Sequence, residues 1–378
     1  MDSLTQIVLG AAVGEAVLGK KIGNRALLWG AVAGTIPDFD VLAKFFVDPV
    51  TNTEMHRGFS HSIFFSVLFA PIFAYLIRKY EKWSLAAFSI VLVSVFFFNN
   101  EGWMAKGLSL SLLAIMFYAA FKLKEKRVEA TWKDWTKLMF LGLITHPMLD
   151  AHTTWGTQFF WPFDYRLAFK NIFVVDPMYT IPFLICVIAV LLYKRNNPRR
   201  RMWNNAGLII SSTYMLLTFV SKGVGYSKFQ DKLDASDVEY IEMDTKPTPL
   251  NAVLWNAQVE TETGYLVSYY SLLDTKPIEF SDEIKKNHHL LDPYRDQKVV
   301  QQLLKIAAGW YYMENVGSKL FFYDIRFGQN GVEHDSPFFW KYELTEGSDG
   351  EITVSRPKPD IRNVSKTLGK LMDRIMGN

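Results

Sequence analysis

Cysteine is almost absent from this chain. The single one, Cys186, sits inside an apolar run. An intrachain disulfide is therefore excluded, and so is a cysteine-rich zinc site. Strong net charge is also missing: 41 basic against 38 acidic residues leave +3, too little to argue for a nucleic-acid partner. The first residues lack the basic stretch of a secretory leader, because Asp2 stands where it would be, and no small-residue cleavage site follows. Long repeats and low-complexity linkers are lacking too.

What the chain has instead is a sharp split. Of its 378 residues, 49% are hydrophobic and 15% aromatic, but the apolar runs crowd into 1–221. Residues 222–378 read as a soluble domain. The expected fold class is an α-helical multi-pass membrane domain followed by a soluble α+β domain. Candidate membrane segments are 3–19, 25–36, 60–78, 83–98, 104–121, 136–150, 177–193 and 203–221. Several approach the roughly 20 residues that a spanning helix needs. The first two are short and rich in glycine and alanine, as in two closely packed helices or a re-entrant pair.

Basic residues alternate between loops. Lys20, Lys21 and Arg25 follow the first segment, and Arg78, Lys79 and Lys82 the third. Lys122, Lys124, Lys126, Arg127 and Lys133 follow the fifth, and Lys194, Arg195, Arg199, Arg200 and Arg201 the seventh. The positive-inside rule makes these four loops cytoplasmic. Loops 37–59, 99–103 and 151–176, and everything after 221, then face outward. The expected location is the inner (cytoplasmic) membrane, with the C-terminal domain extracytoplasmic.

That assignment places Asp38, Asp40, His56, His61, His146, Asp150 and His152 at the outward ends of segments. Four of the seven histidines are in this group; His288, His289 and His334 lie in the tail. A random scatter would put about half of these groups on each side, so the one-sidedness points to a site. His146 and Asp150 lie four apart, on one face of a helix, which suits two ligands of one cation or a plain His–Asp hydrogen bond. Asp38 and Asp40 follow Pro37 and suit a hard or borderline cation, or simply solvated acids in a loop. His56 and His61 suit zinc. Arg57 between them is placed to clamp an anionic group, and Ser60 and Ser62 to orient the rings, while Ser60, ahead of a long apolar run, also suits the cap of the next helix.

Together Asp38, Asp40, His56, His61, His146 and Asp150 form a nitrogen and oxygen donor set for one or two divalent ions, zinc being the ion that suits it. Asp150 or Asp40 is the candidate general base, and spacing does not separate the two. Trp155, Trp161 and Tyr165 read as an interfacial belt, with Arg166 and Lys170 near lipid headgroups. Asp176 reads as a helix cap. In the tail, residues 253–260 and 265–272 flank a hairpin turn. Residues 296–313 show helical periodicity through Val299, Leu303, Ile306 and Trp310. Strands are expected at 319–327 and 338–344, and a last helix at 361–376. The His288–His289 pair and the Glu333–His334–Asp335 run are poor chelators, because adjacent side chains diverge.

The motifs Met1-Asp-Ser-Leu-Thr-Gln6, Pro37-Asp-Phe-Asp40, His56-Arg-Gly-Phe-Ser-His-Ser62 and Thr145-His-Pro-Met-Leu-Asp150 resemble those of the YdjM-like family over residues 1–195. That family is described as LexA-regulated and membrane-bound, with metal-dependent hydrolysis ascribed to it. The resemblance implies a multi-pass membrane hydrolase and names no substrate. Members often carry histidine where this chain has Gln6, so ligand duty does not carry over to that position. The expected function is a membrane-embedded, metal-dependent hydrolase. Its site lies at the extracytoplasmic face, against an ester or phosphoester of a lipid or lipid-linked substrate. The rival readings are a metal-ion or solute transporter, whose path needs polar groups at several depths, and a membrane protein whose metal is purely structural.

Overall fold

The computed structural model describes residues 1–99, 102–122, 130–357 and 364–377. Of the basic loop positions, Lys124, Lys126 and Arg127 lie outside the described residues, as do 361–363 of the expected last helix. The chain forms two compact units. One comprises Met1–Phe46, Met55–Ala168 and Pro177–Tyr214; the other comprises Val47–Glu54, Phe169–Asp176 and Met215–Asn378.

The first unit is helical. Helix α1 (Ser3–Ile22) is capped by the Asp2 carboxylate, which accepts the Thr5 amide at 3.1 Å, and it ends at Gly23 with φ +65°. Helix α2 (Asn24–Thr35) returns along it. The two touch through glycine. A Cβ at Gly14 would lie 2.1 Å from the Ala26 carbonyl oxygen, and one at Gly30 would lie 2.1 Å from that of Gly10. Backbones meet this closely only where small residues repeat every four positions on both partners. The chain continues as a 3₁₀ turn, Ile36–Phe45, opened by Pro37, whose ring supplies no amide hydrogen.

Helix α3 (Pro49–Met55) and a short 3₁₀ turn, Phe59–His61, precede α4 (Ile63–Asn99). The cap of α4 is Ser62, which accepts the Phe65 amide at 3.0 Å. This corrects the expectation that Ser60 plays that part. The two segments expected at 60–78 and 83–98 are both present within this range, since Tyr80 breaks the helix between them with φ −134° and ψ 45°. Ile63 adjoins Phe59–His61, and 25 residues later the Phe88 ring meets that of Phe39 with centroids 5.5 Å apart. A straight helix would separate those points by about 37 Å. The chain therefore doubles back at Tyr80, where Glu81 binds Arg25 and Trp29. Helices α5 (Trp103–Lys122), α6 (Trp132–Asp150), α7 (Pro177–Leu191) and α8 (Pro198–Asp234) follow.

Among the described residues, four helical stretches are long and apolar enough to cross a membrane: Asn24–Phe45, Ile63–Phe98, Trp103–Lys122 and Pro198–Asp234. Large side chains of the last three face outward, as with Leu108 at 72% exposure and Ile115 at 65%, which only a lipid surround makes inexpensive. Eight segments were expected. Helix α7 is apolar but shorter. Helices α1 and α6 hold Glu15, Lys20 and Lys21 and Lys133, Asp134 and Lys137 respectively, which keeps them below the same measure. Helix α6 packs into the bundle core through Trp135, Leu138, Met139 and Leu143, beside Trp29 and Ala33 of α2.

The second unit holds two antiparallel four-stranded sheets, each in sequential order. The first is β1 (Glu242–Pro247), β2 (Leu254–Glu260), β3 (Gly264–Ser271) and β4 (Ile284–Lys285). The expected hairpin is β2–β3, in register from Leu254↔Ser271 to Glu260↔Tyr265. The second sheet is β5 (Tyr311–Val316), β6 (Lys319–Gln329), β7 (Phe338–Glu346) and β8 (Ile352–Ser355). Helix α9 (Lys298–Ala307) stops earlier than its periodicity predicts, because Ala308 and Gly309 turn to positive φ and Tyr311 opens a strand. Helix α10 (Val364–Ile375) inserts Leu371 and Ile375 among Leu254, Val267, Trp310 and Ile325. Helix α8 runs through residue 221, and the two units divide within it.

Candidate metal centre

The 3₁₀ turn after Pro37 presents Asp38. The short turn before α4 presents His61. The last turn of α6 presents His146 and Asp150, four residues apart on one face. Each of the four offers one donor atom, and these atoms all lie within 4.8 Å of one another. His146 Nε2 is 3.1 Å from His61 Nε2, 3.3 Å from Asp38 Oδ1 and 3.6 Å from Asp150 Oδ2. His61 Nε2 is 3.7 Å from Asp38 Oδ1 and 3.3 Å from Asp150 Oδ2. A tetrahedral zinc with bonds near 2.0–2.1 Å requires donor separations of about 3.3 Å.

Hydrogen bonding fixes what the two rings offer. His146 Nδ1 lies 2.6 Å from the Gly34 carbonyl, which only accepts, so that nitrogen carries hydrogen. The Ser60 hydroxyl gives its proton to the Pro37 carbonyl at 2.9 Å, and its lone pair then receives His61 Nδ1–H at 3.0 Å. In both neutral rings Nε2 is therefore a lone pair. Two lone pairs facing each other at 3.1 Å repel unless a positive species lies between them. Asp150 Oδ2 is fully buried and ion-paired with Arg57 Nε at 2.9 Å, yet it accepts no well-aligned hydrogen bond, which leaves lone-pair capacity for a cation. The donors present thus fit a metal ion.

The family model for the YdjM inner membrane protein matches residues 1–224. The chain belongs to this family. Searches of curated proteins and of solved structures find no match. All four donors, and the partners described below, fall within the stretch that the YdjM model covers.

The chain places the remaining expected residues one layer out. Asp40 and His56 are not members of the four-donor group. The Asp40 carboxylate accepts the Arg57 amide at 2.7 Å, lies 3.2 Å from His56 Nδ1 and stands 3.6 Å behind His61 Nδ1. The reason is geometric: Asp38 and Asp40, two residues apart on a tight turn, send their carboxylates to different nitrogens of His61. Carboxylates in Asp40's position set the tautomer and tilt of a ligating ring. His56 is half-exposed and borders Trp155, whose indole donates to the His56 carbonyl at 3.4 Å.

Arg57 was expected to hold a substrate anion. It is buried instead, with Nε 2.9 Å from Asp150 Oδ2 and its terminal nitrogen donating to Thr153 Oγ1 at 2.8 Å. It holds φ +56°, which turns the chain between His56 and His61. The Met1 amino group also pairs with Asp150. Gln6 reaches the site too, giving its amide hydrogens to Asp150 Oδ1 at 3.0 Å and the His146 carbonyl at 3.2 Å. Of the two cations expected near headgroups, Arg166 donates to the His56 carbonyl at 2.9 Å and lies over Trp155. Lys170 pairs with Asp244 in the other unit of the fold at 2.7 Å, a contact within that unit. In the tail, His288 donates to the Tyr311 carbonyl at 2.8 Å and stacks on its ring, and Glu333 pairs with Lys370.

Proposed function

We propose that this protein is a metal-dependent hydrolase of the inner membrane. Asp38, His61, His146 and Asp150 hold a divalent ion, zinc by donor type. The site opens to the extracytoplasmic side and cleaves an ester or phosphoester of a lipid or lipid-linked molecule. The observation that carries the reading is the pair of Nε2 lone pairs 3.1 Å apart, flanked by two carboxylate oxygens at 3.3–3.7 Å. Such an ion, with a position left for water beside its protein donors, would supply a nucleophile at neutral pH and polarise the scissile group.

The chain's own residues divide the remaining work. Asp150 is enclosed, and Arg57 offsets part of its charge, so its part is to hold rather than to exchange protons with solvent. Asp38 is the donor with most solvent access, at 21% side-chain exposure, and marks the side from which a substrate enters. Asp40 acts through His56: it holds that ring by Nδ1 at the mouth of the site, where the pair is placed to pass a proton. Location at a membrane surface favours a lipid or lipid-linked substrate.

The test uses the full chain in detergent. Metal content is measured for the parent, His61→Ala and His146→Ala, and hydrolysis of chromogenic esters and phosphodiesters for the same three. The expected result is near one equivalent of zinc and hydrolysis in the parent, with both lost in each variant. Metal retained by both variants would remove the shared site. Metal flux into liposomes without hydrolysis would transfer the reading to a transporter.

A further inference from the structure

A second feature lies at the other end of α1 from Gln6. The turn between α1 and α2 and the loop between α7 and α8 border an open surface cavity of about 640 Å³, lined by Asn24, Leu191, Leu192, Tyr193, Lys194 and Arg195 among others. All of it belongs to the helical unit. We propose that this cavity binds the phosphate of an anionic phospholipid headgroup.

Charge carries the first part. The acidic side chains at this end are already committed: Glu15 to Arg200 at 2.6 Å, Asp134 to Lys21 at 2.7 Å, and Glu81 to Arg25. Lys20, Lys194, Arg199 and Arg201 have no carboxylate partner among the described residues. Arg195 donates to the Lys21 carbonyl at 2.9 Å, which fixes it beside the cavity. The N-terminus of α8 begins three residues after Arg195 and adds its positive dipole end. A basic pocket framed by helices in this way matches the chemistry of a phosphate monoanion.

Rigidity carries the second part. Arg200 is buried, and it ties together Glu15 of α1, Asn24 Oδ1 at 2.6 Å and the Tyr193 carbonyl at 2.9 Å. The cavity floor is thus held without consuming the cations at its rim. Amphiphilicity carries the third part and separates a lipid from free phosphate. Ile181, Ile185, Ile188 and Leu192 are exposed at 53%, 56%, 48% and 78%, a stripe at helical spacing that runs down α7 into the cavity wall. Acyl chains lie along such a stripe; a soluble anion gains nothing from it.

The test titrates the full chain in non-ionic detergent with phosphatidylglycerol, or with phosphatidylcholine of the same acyl chains, and counts bound lipid by native mass spectrometry. The parent should prefer phosphatidylglycerol at least fivefold. Lys194→Ala with Arg195→Ala should abolish the preference, while Lys79→Ala with Lys82→Ala on another basic loop should keep it. Lys194→Gln alone, at an exposed position without a partner, guards against a folding artefact and should weaken the preference about twofold or more. Absence of preference in the parent, or equal loss in the control pair, would overturn the proposal. Displacement of the lipid by millimolar glycerol 3-phosphate or inorganic phosphate would overturn the lipid assignment in favour of a soluble phosphate ester.

Discussion

One hydroxyl proton decides what His61 offers to the centre. Ser60 spends it on the Pro37 carbonyl, so the serine oxygen can only accept from His61 Nδ1. Removing that oxygen leaves Asp40, 3.6 Å away, as the nearest orienting group. Ser60→Ala should therefore lower metal affinity by about tenfold, within the range for outer-layer partners of a ligating histidine. The fold should stay intact, because the serine that caps α4 is Ser62. Competition with a zinc-sensitive dye would measure the change, and an unaltered affinity would show that the serine does not set the tautomer. His61, His146, Asp38 and Asp150 were legible in the sequence because ionisable groups at the ends of apolar runs are costly without a shared purpose. Their separation from Asp40 and His56 was not legible. It depends on which way two carboxylates point within one 3₁₀ turn, and spacing alone carries no such information. Arg57 was misread for a related reason: nothing local reveals that Asp150, 93 positions later, takes its guanidinium.

At the scale of elements, the centre rests on the α1–α2 pair, since Gly34 of α2 accepts from His146 and Gln6 of α1 donates to Asp150. The pair closes only because Gly10, Gly14, Gly30 and Gly34 present backbone to backbone. Gly14→Leu would press a side chain against the Ala26 carbonyl, where even a Cβ would come to 2.1 Å. Overpacking of this kind costs about 1–3 kcal/mol or more. The expected outcome is a lower unfolding temperature in detergent together with loss of bound metal. Gly107→Leu is the control, because nothing lies within 4 Å of its Cβ position. Equal effects from both would mean that the glycine contact does not support the site. The glycine and alanine richness of these two segments was legible, and with it their close packing. The reversal of α4 at Tyr80 was legible as a charged break at Arg78–Lys82 between two apolar runs. The early end of α9 was not, because Trp310 continues the helical spacing while Ala308 and Gly309 adopt a left-handed turn.

For the whole molecule, the loop charges make a topological prediction. Alkaline phosphatase fused after residue 377 should be active, and fused at Lys194 inactive, since the positive-inside rule places those points on opposite sides. The reverse pattern would put the metal centre on the cytoplasmic side. Stability should also depend on pH through the sheet unit. Lys246 is buried on β1, donating to Gln258 at 2.7 Å and to Asp244 at 3.2 Å. Burial pushes its ammonium down to about 8, with Asp244 opposing and Lys170 assisting the fall. Between about pH 8 and the ordinary lysine value of about 10.4 the unfolded chain holds a proton that the folded chain has released. Folding stability must then rise with pH across that window. Above about pH 10 the buried tyrosines Tyr265 and Tyr269, both pushed upward by burial, oppose the trend, because the unfolded chain ionises first. The expected result is an unfolding temperature that climbs from pH 8 to 9.5 in the parent and stays nearly flat in Lys246→Met, where Asp244 keeps its bond to Lys170. The same slope in both proteins would show that Lys246 keeps its proton in the folded state, and that its bonds to Asp244 and Gln258 outweigh the loss of water.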